Sequence, residues 1–137
     1  MKRAAAGLAL TIFFLNACDQ AELPTSSSDN VGHWELQAFE TGGNTVTIPN
    51  PERYTVEFTD DGRVNIRADC NRCSGTYEAN GNQLTIGPLG CTRAFCGPGS
   101  FFDEYVAALQ SASSFTRRGN ELVITYTGGT MRFEVSQ

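Results

Sequence analysis

Tyr54-Thr55-Val56-Glu57-Phe58-Thr59-Asp60-Asp61-Gly62-Arg63-Val64-Asn65-Ile66-Arg67 holds two runs in which every second side chain is apolar. Tyr54, Val56 and Phe58 alternate with Thr55 and Glu57. Val64 and Ile66 alternate with Arg63, Asn65 and Arg67. Successive side chains of a strand point to opposite faces, so a period of two describes strands with one face buried and the other in water. Asp61-Gly62 between the runs is a hairpin signal, because tight turns need positive φ, which glycine and asparagine tolerate.

The same pattern extends in both directions. Trp34 and Leu36 share one face of an earlier run, and Leu84 and Ile86 flank Thr85. Leu122, Ile124 and Tyr126 alternate with Val123 and Thr125, and Met131, Phe133 and Val135 with Arg132 and Glu134. Asn80-Gly81 and Gly128-Gly129 supply further hairpin signals. One segment changes period. Phe101, Phe102, Tyr105, Val106 and Leu109 form an i, i+3, i+4 stripe, which predicts a helix from about Phe101 to Ala112 packed by its aromatic face onto the sheet. Ser100 and Asp103 have the spacing of a capping box, and Asp103 and Glu104 suit the positive helix start. Strands, one helix and strands again predict an α+β domain: a small, mostly antiparallel curved sheet, cracked-barrel-like, with one helix.

The N-terminus is of another kind. Lys2 and Arg3 precede an apolar stretch from Ala4 to Leu15, interrupted only by Gly7 and Thr11, and then Asn16-Ala17-Cys18. A basic start, a short apolar run and a small residue before the cut make a signal peptide over residues 1–17. The run is too short for a membrane span, which needs about 20 apolar residues. A cysteine directly after the small residue resembles the bacterial lipobox, which implies lipidation of Cys18 as the mature N-terminus. Asp19-to-Asn30 has no apolar pattern, so residues 18–30 read as a lipid-anchored flexible tether, and 31–137 as one domain. Asp19 resembles an inner-membrane retention signal of enteric bacteria; inner and outer membrane both stay open. The expected location is the cell envelope, facing the periplasm.

Charge narrows the partners. Lys2 and Arg3 leave with the leader, so the 10 basic residues fall to 8 while all 15 acidic ones remain, and the mature charge is 8 − 15 = −7. Such a chain lacks the basic stripe that phosphate contacts require, so no nucleic-acid partner is expected. Attachment to a membrane is expected through the N-terminal lipid, not through a basic face. The five cysteines become four once Cys18 is assigned to the lipid: Cys70, Cys73, Cys91 and Cys96. An even remainder in an exported chain predicts disulfides.

Three short patterns stand in a particular order: Trp34-Glu35-Leu36; Cys70-Asn71 followed by Gly75-Thr76-Tyr77; and Thr92 with Cys96 ahead of the helix. In this order the chain resembles the META domain, the family of HslJ-like heat-shock lipoproteins, over about Val31 to Val135. The resemblance implies a small antiparallel sheet with one helix, a link to envelope stress, and no catalytic residue set. Many members carry only the cysteines matching Cys70 and Cys96, so Cys73 and Cys91 are additional here. Asn71 and Arg93 fall on motif positions, with side-chain hydrogen bonds in the turns beside the disulfides as their expected role.

Four cysteines allow three pairings. The favoured one is nested, Cys70–Cys96 with Cys73–Cys91; local pairing, Cys70–Cys73 with Cys91–Cys96, is the alternative. The same residues also loosely resemble a zinc ribbon, although the second spacing is long and the compartment oxidising. A redox C-x-x-C would normally open a helix, whereas this one precedes a strand. No metal or cofactor is expected.

No catalytic constellation emerges. His33 is the single histidine and sits beside Trp34 on a strand; there is neither a G-x-S-x-G elbow nor an H-E-x-x-H pair. Asp60-Asp61-Gly62 reads as a turn, not as an acid–base pair. The loop Gly87–Gly99 is the candidate interaction surface, with Pro88, Leu89, Arg93 and Phe95 between cysteines that could rigidify it. The expectation is a monomeric, non-enzymatic, lipid-anchored envelope protein of META/HslJ type, serving stress tolerance or envelope maintenance through contacts with an envelope protein or with lipid. The alternatives are an inhibitor of an external protease or lysozyme that presents this loop, and a carrier of a small apolar ligand inside the curved sheet.

Overall fold

The computed structural model describes Gly7 and residues 30–137. The rest of the expected signal peptide, the expected lipidation at Cys18 and the expected tether up to residue 29 lie outside the described residues. Among the described residues, ten strands and one α-helix follow in chain order: β1 (Gly32–Thr41), β2 (Asn44–Thr47), β3 (Tyr54–Phe58), β4 (Arg63–Ala68), β5 (Asn71–Asn80), β6 (Gln83–Ile86), β7 (Gly90–Cys91), α1 (Phe102–Gln110), β8 (Ser114–Arg118), β9 (Glu121–Tyr126) and β10 (Gly129–Val135). No helix among the described residues is long and apolar enough to cross a membrane.

Eight strands form a closed antiparallel ring, in the order β1-β3-β4-β5-β6-β8-β9-β10 and back to β1. The sheet is therefore a closed barrel, which corrects the expectation of a cracked one. Closure runs through six paired positions of β1 and β10, from Trp34 opposite Val135 to Glu40 opposite Thr130. The thin seam is β6–β8, with Gln83 opposite Ser114 as its register pair and backbone bonds from Leu84 to Ser113 and from Phe115 to Asn82. β2 and β7 lie off the ring, on β1 and β5. β1 changes neighbour along its length: Gly32–Glu35 pairs with β3 and Ala38–Thr41 with β2. An irregularity between Leu36 and Ala38 marks the switch, as bulges do where a strand bends.

The period-two faces point where alternation requires. Trp34, Leu36, Val56, Val64, Leu122, Ile124, Met131 and Phe133 are fully buried in one cluster with Phe58 and Leu84. The interior is filled by side chains, as in other small barrels. That overturns the reading of an apolar ligand held inside the sheet.

Helix α1 lies across one barrel end. Its Tyr105, Val106, Ala108 and Leu109 are buried in the same core. The Tyr105 ring meets Tyr54, the first residue of β3, edge-on at 5.9 Å, and Phe133 at 6.3 Å. Burying side chains of this size contributes about 2 kcal/mol each. The helix is shorter than expected at both ends, and the capping box does not form. Phe101 is the N-cap, and Ser100 Oγ accepts from the Phe102 N–H at 3.2 Å. The start is set instead from outside the helix, where the Phe101 N–H donates to the Tyr54 hydroxyl at 3.0 Å. Ser111 N–H closes the other end on the carbonyls of Ala107 and Ala108.

Two hairpins turn one residue away from the predicted dipeptides. Asn80 pairs with Gln83, leaving Gly81-Asn82 at the turn, and Gly129 pairs with Tyr126, leaving Thr127-Gly128. Gly129 is needed for a different reason: a Cβ there would lie 2.1 Å from the Glu40 carbonyl oxygen, so only a bare backbone lets β10 reach β1.

A disulfide-clamped loop as the candidate functional site

The β4–β5 hairpin places the first two cysteines. Its two turn residues are Asp69 and Cys70, since Ala68 pairs with Asn71. Asp69 has φ of 59°, a left-handed conformation that aspartate tolerates better than most residues. Its N–H donates to the Arg53 carbonyl at 2.7 Å, and its carboxylate pairs with the Arg53 guanidinium. The turn is thus tied to the 3₁₀ segment Pro51–Arg53 that precedes β3.

The structure joins Cys70 to Cys96 and Cys73 to Cys91, the nested arrangement, with Cα separations of 5.5 and 4.1 Å. Cys73 and Cys91 face each other across β5 and β7. Arg72 and Thr92, the next pair along, are joined by the Thr92 N–H to the Arg72 carbonyl at 3.0 Å. The short separation at Cys73 suits a pair between such bonds, where antiparallel strands come closest. Cys70 and Cys73 thus pair with Cys96 and Cys91 and not with each other.

Asn71 holds the loop from inside. It is fully buried, and every polar atom of its side chain has a partner. Its Oδ1 accepts from the Ala94 N–H at 2.7 Å and the Thr92 hydroxyl at 3.0 Å. Its Nδ2 donates to the Ala94 carbonyl at 2.9 Å and approaches Cys96 Sγ at 3.3 Å. A buried amide satisfied in this way is costly to lose, because its partners would be left unpaired away from water. Asn71 therefore plays the expected local role. Arg93 does not: its guanidinium stacks 5.9 Å from the centre of the Phe102 ring at the start of α1.

The four candidate loop residues separate into two pairs. Leu89 is half-buried against the core, and the chain at Pro88-Leu89 presses on β5 where Gly75 stands. A Cβ at Gly75 would meet the Pro88 carbonyl at 2.9 Å and Leu89 Cδ2 at 3.0 Å. This half of the loop is packing. Arg93 and Phe95 project instead, and with Cys96, Phe102 and Asp103 they line a depression of about 330 Å³. Phe95 is 88% exposed, on a stretch of backbone held by a disulfide and by Asn71. His33 is exposed on the outer face of the barrel, opposite Glu57. Asp61 is exposed in the β3–β4 turn, where a hydrogen bond from the Thr59 hydroxyl lowers its pKa.

A second concave surface, which no sequence motif marks, lies at the barrel end covered by α1. Phe39, Val46, Phe101 and Tyr126 come from four separate segments and line a groove of about 460 Å³ beside Ala107 and Glu104. None of these residues shares a motif, so no local pattern could have grouped them.

The geometry defines a class: a small closed antiparallel barrel, covered at one end by a single helix and stapled where the chain runs into that helix. The META domain family matches residues 28–137, and the chain belongs to that family. Among solved structures, a protein from Burkholderia xenovorans determined by NMR is similar over 100% of this chain and 99% of its own, with a TM-score of 0.65 at 19% identity. A DUF4847 family protein from Bacteroides vulgatus, solved by crystallography, is similar over 77% of this chain and 92% of its own, with a TM-score of 0.55 at 16% identity. At these identities the likeness concerns the fold. No curated protein matches the chain.

Proposed function

We propose that this is a non-enzymatic, lipid-anchored protein of the bacterial cell envelope. It is held by an acylated Cys18, faces the periplasm, and serves stress tolerance or envelope maintenance by contact with an envelope partner. The observation that carries the reading is Phe95. An aromatic side chain almost wholly in water gains nothing for the fold, and here its backbone is immobilised by Cys70–Cys96 and Asn71. Such a residue loses little ordering entropy on association, and aromatic and arginine side chains dominate interface energetics. The leader ending at Cys18 and an even set of paired cysteines support export.

Intact-mass measurement of the protein from membranes tests the anchor: a diacylglyceryl-modified mature chain is expected, and an unprocessed chain overturns it. Crosslinking in envelope fractions tests the contact. A defined crosslinked species should appear with the native chain and be lost with Phe95→Ala. Its persistence in that variant removes the loop from the account.

The same rigid loop also favours a second reading, an inhibitor of an external protease or lysozyme. It requires stoichiometric inhibition that disappears with Arg93→Ala or Phe95→Ala. A hydrolase panel without inhibition disposes of it.

A further inference from the structure

The groove beside α1 has a chemistry that selects its occupant. Its walls are aromatic and aliphatic. The Phe39 ring centre lies 6.2 Å from that of Phe101 and 6.4 Å from that of Tyr126. Val46 on β2 is 46% exposed and faces the same space. The volume of about 460 Å³ is that of a small-molecule site. Three of the four rim hydroxyls, those of Thr41, Ser111 and Tyr126, are engaged within the protein. Thr41 and Tyr126 meet at 3.4 Å, and Ser111 Oγ donates to the Ala108 carbonyl and accepts from the Thr127 N–H. Among the described residues, the one ionised group lining the groove is the carboxylate of Glu104, on the exposed side of the first helical turn.

We propose that this groove binds an organic cation with an apolar or aromatic body, its ammonium group at Glu104 and its body against Phe39, Phe101 and Tyr126. Three apolar rings and a carboxylate suit such a ligand, because the rings bury its apolar body and the carboxylate attracts its charge. The alternatives fit less well. An anionic amphiphile would meet the carboxylate and a chain of net charge −5. A second copy docked symmetrically would bring the same acidic patch against itself and add a second Glu104 carboxylate without adding a cation. The site is separate from the Arg93–Phe95 surface and does not depend on it.

The test is titration of the full-length chain with 4-phenylbutyltrimethylammonium, followed by calorimetry and by amide shifts in the NMR spectrum. Neutral 4-phenylbutanol and anionic 4-phenylbutyrate are the comparison ligands. Saturable binding of the cation is expected, with shifts concentrated at Phe101, Ala107 and Gly128, and weaker binding of the alcohol and the anion. Glu104→Gln should weaken the cation about two- to fivefold and leave the alcohol unchanged. Ala107→Trp, at an exposed helix position, should fill the groove and abolish binding of both. Asp103→Asn removes the same charge one residue away, on the side of the Arg93 depression, and should have no effect. Equal affinity for cation and anion, shifts spread over the acidic surface, or equal losses in Glu104→Gln and Asp103→Asn would overturn the proposal.

Discussion

The side-chain amide of Asn71 pairs with the backbone of Ala94 as one strand pairs with another, donating to the carbonyl at 2.9 Å and accepting from the N–H at 2.7 Å. The loop ahead of the helix is thereby held by a residue 23 positions away, and Thr92 and Cys96 join the same amide. Asn71→Ala removes these bonds and leaves the Ala94 groups and the Thr92 hydroxyl to find water. A loss of about 2–3 kcal/mol is expected, read as a lower urea midpoint at unchanged slope. Asn71→Asp should not rescue it, because the carboxylate cannot donate to the Ala94 carbonyl.

The two disulfides close loops of similar length. Their sequence separations are 18 for Cys73–Cys91 and 26 for Cys70–Cys96. In the chain-entropy account, each contributes about 3 kcal/mol and the longer loop slightly more. Replacing Cys73 and Cys91 together by serine, or Cys70 and Cys96 together, should therefore cost comparable stability in denaturant. The second pair should additionally expose the Arg93–Phe95 segment to proteolysis, because that stretch would then be held by Asn71 without its covalent tie.

Gly129→Ala should be among the most damaging single changes on the surface. The added methyl would fall 2.1 Å from the Glu40 carbonyl oxygen, and the residue holds a φ of 153° that side chains rarely adopt. Separation of β10 from β1 at that point should cost about 3 kcal/mol. Loss of amide protection at Glu40 and Met131 in hydrogen exchange would show where the barrel opens.

Tyr105 carries a buried hydroxyl with no hydrogen-bond partner among the described residues. Burial raises its pKa well above the ordinary tyrosine value of 10.0. The folded pKa lies above the unfolded one, so the contribution to stability is complete below about pH 10 and falls as pH rises beyond it. Ultraviolet titration should find one phenol that ionises only as the chain unfolds. Tyr105→Phe removes that phenol and also the unsatisfied hydroxyl, and should leave stability at pH 7 unchanged or raise it by about 1 kcal/mol.

Phe95→Ala should be thermodynamically silent. With so exposed a ring, a change within about 0.5 kcal/mol is expected in thermal or urea unfolding. A larger loss would mean that the ring packs against something and is not available to a partner.

Alternation in Tyr54–Phe58, Arg63–Ile66, Leu122–Tyr126 and Met131–Val135 was enough to place the core strands, because a buried face leaves a period-two record wherever the other face is in water. The stripe from Phe101 to Leu109 marked the helix for the same reason. Strands without that record were illegible. β2 is exposed along its whole length, β7 has two residues, and β8 offers Phe115 as its one buried apolar side chain. Closure itself was hidden, since it depends on β8 bridging β6 to β9.

Around the loop, the residues alone marked the cysteines, the four candidates Pro88, Leu89, Arg93 and Phe95, and Asn71 and Arg93 as local hydrogen-bonding residues. Tertiary structure decided that Asn71 is the buried anchor, that Leu89 is packing, and that Tyr54 starts the helix from another strand. It also assembled the groove at Glu104. The physical reason is range. Periodicity, turn chemistry and cysteine number are written along neighbouring residues. A clamp, a seam or a groove exists only where segments distant in the chain are brought within a hydrogen bond or a van der Waals contact of one another.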